Sequence, residues 1–524
     1  MRLYLSLLLL VALAVADSSR LWPTPKHSSF GDRYIRLSTD FTFVSNVNIP
    51  ILGSAFERYT KHIRSFSLDA ESLQGSPTST VQRINVNVRD SSADLSYGVD
   101  ESYEIIVSFS SIEINAKTAY GAMSALETFS QLVELNPQQG SHVIRAIPLT
   151  ISDSPRWPWR GLLIDTARHY LPINTIKRVI DAMTYSKLNV LHMHWVDAQS
   201  FPLVVPSVPE LSREGSFCED LVYTPDMVRE ITKYANERGI RVVGEIDMPG
   251  HAFSWGYGIP EIISQCPSRF HGNVNSFPLD PSKNKTFEVI EKIASDVAGL
   301  FNDAYIHLGA DEPNFRCWTE YAPVAKWMKE QGFKDGGDVY RYFWSRALPI
   351  FKQFKTILWQ EAVLLNAQPP KSSIIHVWEG LANVKKVVAQ GYDILTSAGF
   401  YLDRQQPTDK ERYGFIDTWK DMFEVEPTDG LTTEEISKLK GGEAAMWGEA
   451  VDTFSIESRI WPRALAVSER LWHQLDTSSP IDWNAEAARL EKQRCRMAGR
   501  GVEAGPIVPG PVGVCKFTVP PFMN

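Results

Sequence analysis

From Trp157 onward one repeating pattern leaves few folds open. A short apolar run, a polar break and an amphipathic stretch recur about eight times. The runs are 161–165 (GLLID), 190–195 (VLHMHW), 241–247 (RVVGEID) and 304–311 (AYIHLGAD). Four more follow at 356–361 (TILWQE), 374–379 (IIHVWE), 393–397 (DILTS) and 444–449 (AAMWGE). Helical stretches fall between several of them, at 172–186, 224–238, 286–300, 338–354 and 381–390. Pro172 and Pro225 sit where a helix's first turn tolerates proline, and Thr224 is placed to cap the second of these helices. Strands joined by helical crossovers over roughly 340 residues predict a (β/α)8 TIM barrel, of class α/β. A doubly wound open sheet is the competing topology, but no glycine-rich phosphate loop follows any run.

Upstream the pattern differs. Residues 34–44, 82–88 (QRINVNV) and 102–109 alternate as half-buried strands do, 111–115 is a further short strand, and 118–133 has helical periodicity. This predicts a small α+β domain over 17–150, then the barrel over 151–498. The small domain holds no acid/base cluster. A helix at 456–475 is expected to end the barrel, and the Gly/Pro-rich stretch 499–524 reads as an irregular tail.

The first residues bear on the compartment. Arg2, the apolar run 3–14 and Ala14-Val15-Ala16 form a signal peptide, 1–16, too short to anchor in a bilayer. The expected destination is lysosomal or extracellular. A net charge of −9 argues against nucleic acid as a partner. Cys218, Cys266, Cys317, Cys495 and Cys515 make an odd set for an oxidising lumen, giving two disulfides and one leftover thiol. No CxxC occurs, so metal spacing is absent. Asn284-Lys285-Thr286 is a glycosylation sequon, which places Asn284 on an exposed loop.

Polar residues cluster where the runs end. Arg168 and His169 follow the first, Asp197 the second, Asp247 and His251 the third, and Asp311-Glu312 the fourth. Trp359 and Glu361 mark the fifth, Trp378 and Glu379 the sixth, Tyr401 and Asp403 the seventh, Trp447 and Glu449 the eighth. In a barrel these ends converge on one mouth, where enzymes of this shape build their sites. Asp311 and Glu312 pose a problem, because neighbours on a strand point to opposite faces. The strand must leave its pleat for both to reach the mouth. Pro313 is expected to bias Glu312 towards extended backbone. Otherwise Glu312 pairs with a helix outside the barrel. Fifteen Trp supply faces that stack on sugars, although large cores also consume them. His192 and His194, two apart on one strand, point to an inward core role rather than a metal.

At these residues the chain resembles a known family. HLGADE at 307–312 is similar to the HxGGDE signature of the β-N-acetylhexosaminidases, glycoside hydrolase family 20. The likeness continues in 160–172 (RGLLIDTARHYLP), 187–202 (KLNVLHMHWVDAQSFP), 245–251 (EIDMPGH), Trp359-Gln360-Glu361 and 441–449 (GGEAAMWGE). It implies removal of terminal β-linked N-acetylhexosamine from glycans with retention, the sugar's own acetamido oxygen acting as nucleophile. Asp311 would hold and stabilise that acetamido group. Glu312 would be the general acid and base, its pKa raised by burial and by Asp311. Tyr401 would aim the acetamido oxygen, and Trp359, Trp378 and Trp447 would wall its methyl. Arg168 would fork onto the 3- and 4-hydroxyls, and Asp403 and Glu449 would take the 4- and 6-hydroxyls. Asp197, Asp247 and His251 would support, His251 as a relay to Glu312 or as a structural cap. Asp153 matches an acid that braces an arginine. No cofactor is implied.

The same resemblance pairs Cys266 with Cys317 and Cys495 with Cys515, and implies a homodimer. The chain also departs from the pattern. Ala310 replaces a glycine and is expected to crowd the sugar, and Ala198 replaces an acid. Asp403-Arg404 combines residues that in animal members separate subunits preferring neutral sugars from those accepting anionic ones. Asp403 is expected to dominate and repel 6-sulfate. Competing readings are a non-catalytic sugar-binding protein on this scaffold and a glycosidase with its own carboxylate nucleophile.

Overall fold

The computed structural model describes residues 20–70, 73, 75–270, 272–404, 418–476 and 479–507. The signal segment 1–16, Cys515 and most of the tail lie outside them. Among the described residues, 27–153 build an eight-stranded mixed sheet, and from Trp159 eight parallel strands close into a barrel. The last strand, Leu439–Met446, pairs with the first, Trp159–Asp165, in register from Gly441↔Trp159 to Met446↔Ile164. No sheet edge is left at the barrel, so no strand there offers unpaired backbone groups to another chain.

The barrel strands are Trp159–Asp165, Val190–His194, Arg241–Met248, Tyr305–Gly309, Lys355–Trp359, Ile374–Val377, Asp393–Thr396 and Leu439–Met446. Seven fall where the apolar runs predict, because strands covered on both faces need near-continuous hydrophobic sequence; the eighth begins five residues before the run at 444–449. Helices Ile173–Thr184 and Pro225–Asn236 follow the first two. Thr224 caps the second as expected, its hydroxyl accepting from Met227 N at 3.3 Å.

Inward side chains alternate along the strands and stack by height. The floor is apolar: Trp159, Val190, Val243, Tyr305, Ile357, Ile374 and Leu395. The mouth is aromatic, with Trp359 and Tyr401 packed beside Trp378 and Trp447. Between them lies a polar level of His192, Glu245, His307, His376 and Glu443, all buried. Gly161 makes room for it, since a Cβ there would come within 2.4 Å of Glu443 Cγ.

Several elements differ from expectation. Helix Pro50–Ser65 and strands Val133–Asn136, Ser141–Ile147 and Leu149–Asp153 add to the first domain. The single helix expected at 456–475 is two, Ile456–Ile460 and Arg463–Trp472, interrupted at Trp461-Pro462. A further helix, Trp483–Gly499, then crosses back to the first domain. There Arg489 Nη1 donates to Leu21 O at 2.7 Å, and Arg496 Nη2 to Arg20 O at 2.9 Å. Arg489 Nη2 also meets the buried Glu469 at 2.9 Å. Asn284 is exposed, but it is the first residue of helix Asn284–Leu300 rather than part of a loop. Cys266 and Cys317 form a disulfide, and Cys218 is free and exposed.

Candidate active site

The pleat problem at Asp311-Glu312 is solved by the backbone. The fourth strand stops at Gly309, and Gly309, Ala310 and Glu312 take φ values of +72°, +96° and +42°. Gly309 is obligatory, because a Cβ there would sit 1.6 Å from Asp247 Oδ1. Ala310 carries a strained φ for a residue with a Cβ. Its amide donates to Met248 O at 3.0 Å and its carbonyl accepts from Tyr340 Oη at 2.7 Å, which holds the turn. Ala310 is wholly buried and does not line the cavity, so its cost is backbone strain rather than crowding of a ligand. Pro313 does not keep Glu312 extended; the left-handed φ prevails, and both acids turn into the mouth.

There they share a cavity of about 210 Å³. Arg168, Asp197, Asp247, His251, Trp359, Trp378, Tyr401, Asp403, Trp447 and Glu449 line it with them, together with Asn275 and Arg404. Of the expected site residues Asp153 alone is elsewhere. It lies at the opposite end of the strands, 3.4 Å from Lys187 Nζ, accepting from Tyr103 Oη at 2.6 Å and from Trp472 Nε1 at 3.0 Å. It braces a lysine and an indole between the two domains, not an arginine.

The arginine that is braced is Arg168. Its Nη1 is 2.7 Å from Asp165 Oδ2, its Nη2 2.8 Å from Asp197 Oδ2, and its Nε donates to Gln199 Oε1 at 3.1 Å. Asp165 and Gln199 were not anticipated. Asp165 ends the first strand three residues before Arg168, and that spacing was the available signal. Burial opposes the charge on Arg168, but Asp197, Asp165 and Glu449 more than offset it and raise its pKa. Asp197 is fully buried, yet Arg168 and His251 hold it well below the usual carboxylate range.

His251 stands between Asp197 and the acid pair. Its Nδ1 is 3.2 Å from Asp197 Oδ1, and its Nε2 is 3.4 Å from Asp311 Oδ2 and 3.5 Å from Glu312 Oε2. This connection corrects one expectation. The hydrogen bond from His251 holds Glu312 below its ordinary value, and 56% of its side chain is open to solvent. The raised carboxyl is instead Asp311, pushed up by burial and then by Glu245 and Glu312, against His251. Asp247 is pushed up further, by burial and then by Asp311. The Asp311–Asp247 pair therefore favours keeping a proton. Asp311 Oδ1 is buried with no partner, an acceptor waiting for a donor.

The aromatic wall is fixed by acids behind it. Trp359 Nε1 donates to Glu245 Oε1 at 2.9 Å, and Trp378 Nε1 to Glu361 Oε1 at 3.1 Å. Trp378 and Tyr401 lie 6.1 Å apart, and so do Trp359 and Trp447. Burial and then Asp311 push Glu361 up to about 8. Asp403 is pushed up to about 6, by burial with Glu449 adding, and its Oδ1 has no partner. The Arg404 guanidinium lies 4.8 Å over the Tyr401 ring.

His192 and His194 do point inward, but into ion pairs rather than apolar packing. Both nitrogens of His192 face acids, Glu443 at 2.9 Å and Glu245 at 3.0 Å. His194 bridges Glu245 at 2.7 Å and Asp197 at 2.9 Å. These nitrogens and carboxylates face one another directly across the barrel interior.

Comparison with known proteins points to one family. The family described as "Glycosyl hydrolase family 20, catalytic domain" matches residues 157–475, and "beta-acetyl hexosaminidase like" matches 21–132. Beta-hexosaminidase 3 of Arabidopsis thaliana is 38% identical, covering 94% of this chain and 91% of its own. The beta-hexosaminidase subunit beta of Homo sapiens is 36% identical, covering 94% and 89%. Among solved structures, a Flavobacterium johnsoniae chitobiase aligns with a TM-score of 0.78 at 29% identity, covering 92% of this chain and 73% of its own.

Proposed function

The chain belongs to glycosyl hydrolase family 20 and is a glycoside hydrolase of the β-hexosaminidase kind; from that premise we propose a retaining, substrate-assisted mechanism on terminal β-linked N-acetylglucosamine or N-acetylgalactosamine. The 2-acetamido oxygen attacks the anomeric carbon and closes an oxazolinium ring while the glycosidic bond breaks. Asp311 takes the acetamido N–H on its unpartnered Oδ1 and balances the positive charge that develops on the ring. Glu312 protonates the leaving oxygen, then removes a proton from the incoming water, which opens the ring with net retention.

The observation that carries this reading is the turn at 309–312, which brings two adjacent acids into one cavity and leaves the buried one with a free acceptor. Glu312 is ionised in the open site, where water and His251 favour the carboxylate. A bound aglycone covers its exposed face, strips that water and raises its pKa towards that of an acid. Tyr401 directs its hydroxyl to the acetamido oxygen, and Trp359, Trp378 and Trp447 enclose the methyl. Arg168, held flat by three partners, presents its edge to the 3- and 4-hydroxyls. Asp403 and Glu449 receive the 4- and 6-hydroxyls. We further propose that the protein travels the secretory route, to the lysosome or the cell exterior, and works as a homodimer.

A substrate panel tests the mechanism. Neutral and 6-sulfated N-acetylhexosaminides, with a substrate lacking the N-acetyl arm, are assayed on wild type and Asp311→Asn. Expected are retained anomeric configuration, a kcat loss of roughly 100-fold or more in the variant, and slower cleavage of sulfated substrate, which Asp403 repels. Inverted product, or equal turnover without the N-acetyl arm, sinks the mechanism. Equal turnover of sulfated substrate sinks the role given to Asp403.

A further inference from the structure

Glu245 lies in the third barrel strand with no solvent exposure. Its two oxygens meet four nitrogens from three other strands. Oε1 accepts from Trp359 Nε1 at 2.9 Å and faces His307 Nδ1 at 3.1 Å. Oε2 faces His194 Nδ1 at 2.7 Å and His192 Nε2 at 3.0 Å. The other nitrogen of His194 meets Asp197, which grips both Arg168 and His251. One buried carboxylate thus holds an indole of the cavity wall directly. It also reaches the residues around Glu312 through two hydrogen bonds.

Glu443 provides an internal comparison. It is just as buried and also pairs with His192, at 2.9 Å. Its other partner, Trp159 Nε1 at 2.6 Å, belongs to the apolar floor and not to the cavity. The two acids share an environment and differ in what they position. An apolar residue would fill either place at lower desolvation cost, so a charge retained there calls for a specific use.

We propose that Glu245 is a positioning residue of the reaction and a determinant of which N-acyl group the site accepts, acting through the Trp359 indole. The inference rests on the reading of the cavity as an N-acetylhexosamine site. The carboxylate accepts from Trp359 Nε1 and His194 Nδ1 and faces the other two nitrogens, whereas an amide offers one acceptor and one donor face. In Glu245→Gln the amide oxygen goes to the imidazole pair, which leaves an N–H group against Trp359 Nε1. The indole is released and the wall loosens.

The experiment compares kcat/KM for N-acetyl and N-butanoyl substrates in wild type, Glu245→Gln, Glu443→Gln, Trp359→Phe and the Glu245→Gln/Trp359→Phe pair, after near-UV circular dichroism confirms folding. Expected in Glu245→Gln is a fall of at least about 10-fold in the N-acetyl preference, with kcat down by about 30-fold or more. Second-sphere partners have effects of this order. Glu443→Gln should lower the melting temperature but keep the preference within about 2-fold. On the Trp359→Phe background the effect of Glu245→Gln should shrink to about 2-fold, the signature of two residues acting as one unit. If Glu245→Gln does not fold, Glu245→Asp, which withdraws the charge by one methylene, should show the same loss of preference. An unchanged preference in a folded Glu245 variant, an equal loss in Glu443→Gln, or full additivity with Trp359→Phe overturns the positioning role alone. A wild type that cleaves no N-acetylhexosaminide overturns the functional reading first and this inference with it.

Discussion

At the scale of single residues, the environment sets each acid's charge more than its identity does. Four carboxyls around the mouth, Asp311, Asp247, Glu361 and Asp403, are raised, while Glu312 beside them is lowered chiefly by one imidazole. Glu361 gives a measurable consequence. Its ordinary value is 4.5 and burial, then Asp311, lift it to about 8. Between those limits the folded protein binds a proton that the unfolded chain releases, so stability falls as pH rises through the window. Melting temperature should therefore decline more steeply between pH 4.5 and about 8 in wild type than in Glu361→Gln, whose amide still accepts from Trp378. Parallel curves for the two proteins would remove Glu361 as the source. The strand-end acids and tryptophans were legible in the sequence because each interrupts an apolar run. The pKa of Glu312 was not, since it depends on a histidine sixty residues away in another loop.

At the scale of elements, the barrel was legible and its polar interior was not. Hydrophobic runs announce strands that are covered on both faces, but they do not say which face holds a charge. Glu245 sits in a segment that reads as an apolar strand and Glu443 just before one, and only the closed ring of neighbours supplies the imidazoles that tolerate them. Helix Trp483–Gly499 was missed for the opposite reason. Its sequence, WNAEAARLEKQRCRMAG, reads as solvent-exposed, whereas Arg489, Arg494 and Arg496 are buried in the structure. The Cys266–Cys317 disulfide is a covalent feature at this level, linking the loop after the third strand to helix Phe315–Glu320, which starts three residues past Glu312. Replacing both cysteines by serine should lower stability by about 2–4 kcal/mol in denaturant melts, given the 51-residue separation. The same variant should lose kcat/KM, because the turn bearing Glu312 loses its outer tether. Unaltered kinetics would mean that the hydrogen bonds at Ala310 suffice.

At the scale of the whole molecule, the two domains are joined by buried arginines of helix Trp483–Gly499 that donate to backbone carbonyls of Arg20 and Leu21. Arg489 alone touches Leu21, Thr24, Glu469 and Glu486, and lies 4.3 Å over the Trp22 ring. Removing it strands Glu469, which has no exposure of its own. Arg489→Ala should cost about 3–5 kcal/mol, as for a buried pair broken on one side. Equilibrium unfolding measures this, and a change below about 1 kcal/mol would show that water replaces the arginine. The active site, at the far end of the barrel strands, should keep its KM. This clamp also bears on how the polypeptide is made. Arg20 precedes its partner Arg496 by 476 residues, and Leu21 precedes Arg489 by 468. Glu134 and Gln131 hold that segment to the first domain early, but the arginine clamp cannot close until residues 489–496 are made, so a nascent chain arrested before residue 483 should be more open to protease near Arg20 and Leu21 than the finished protein.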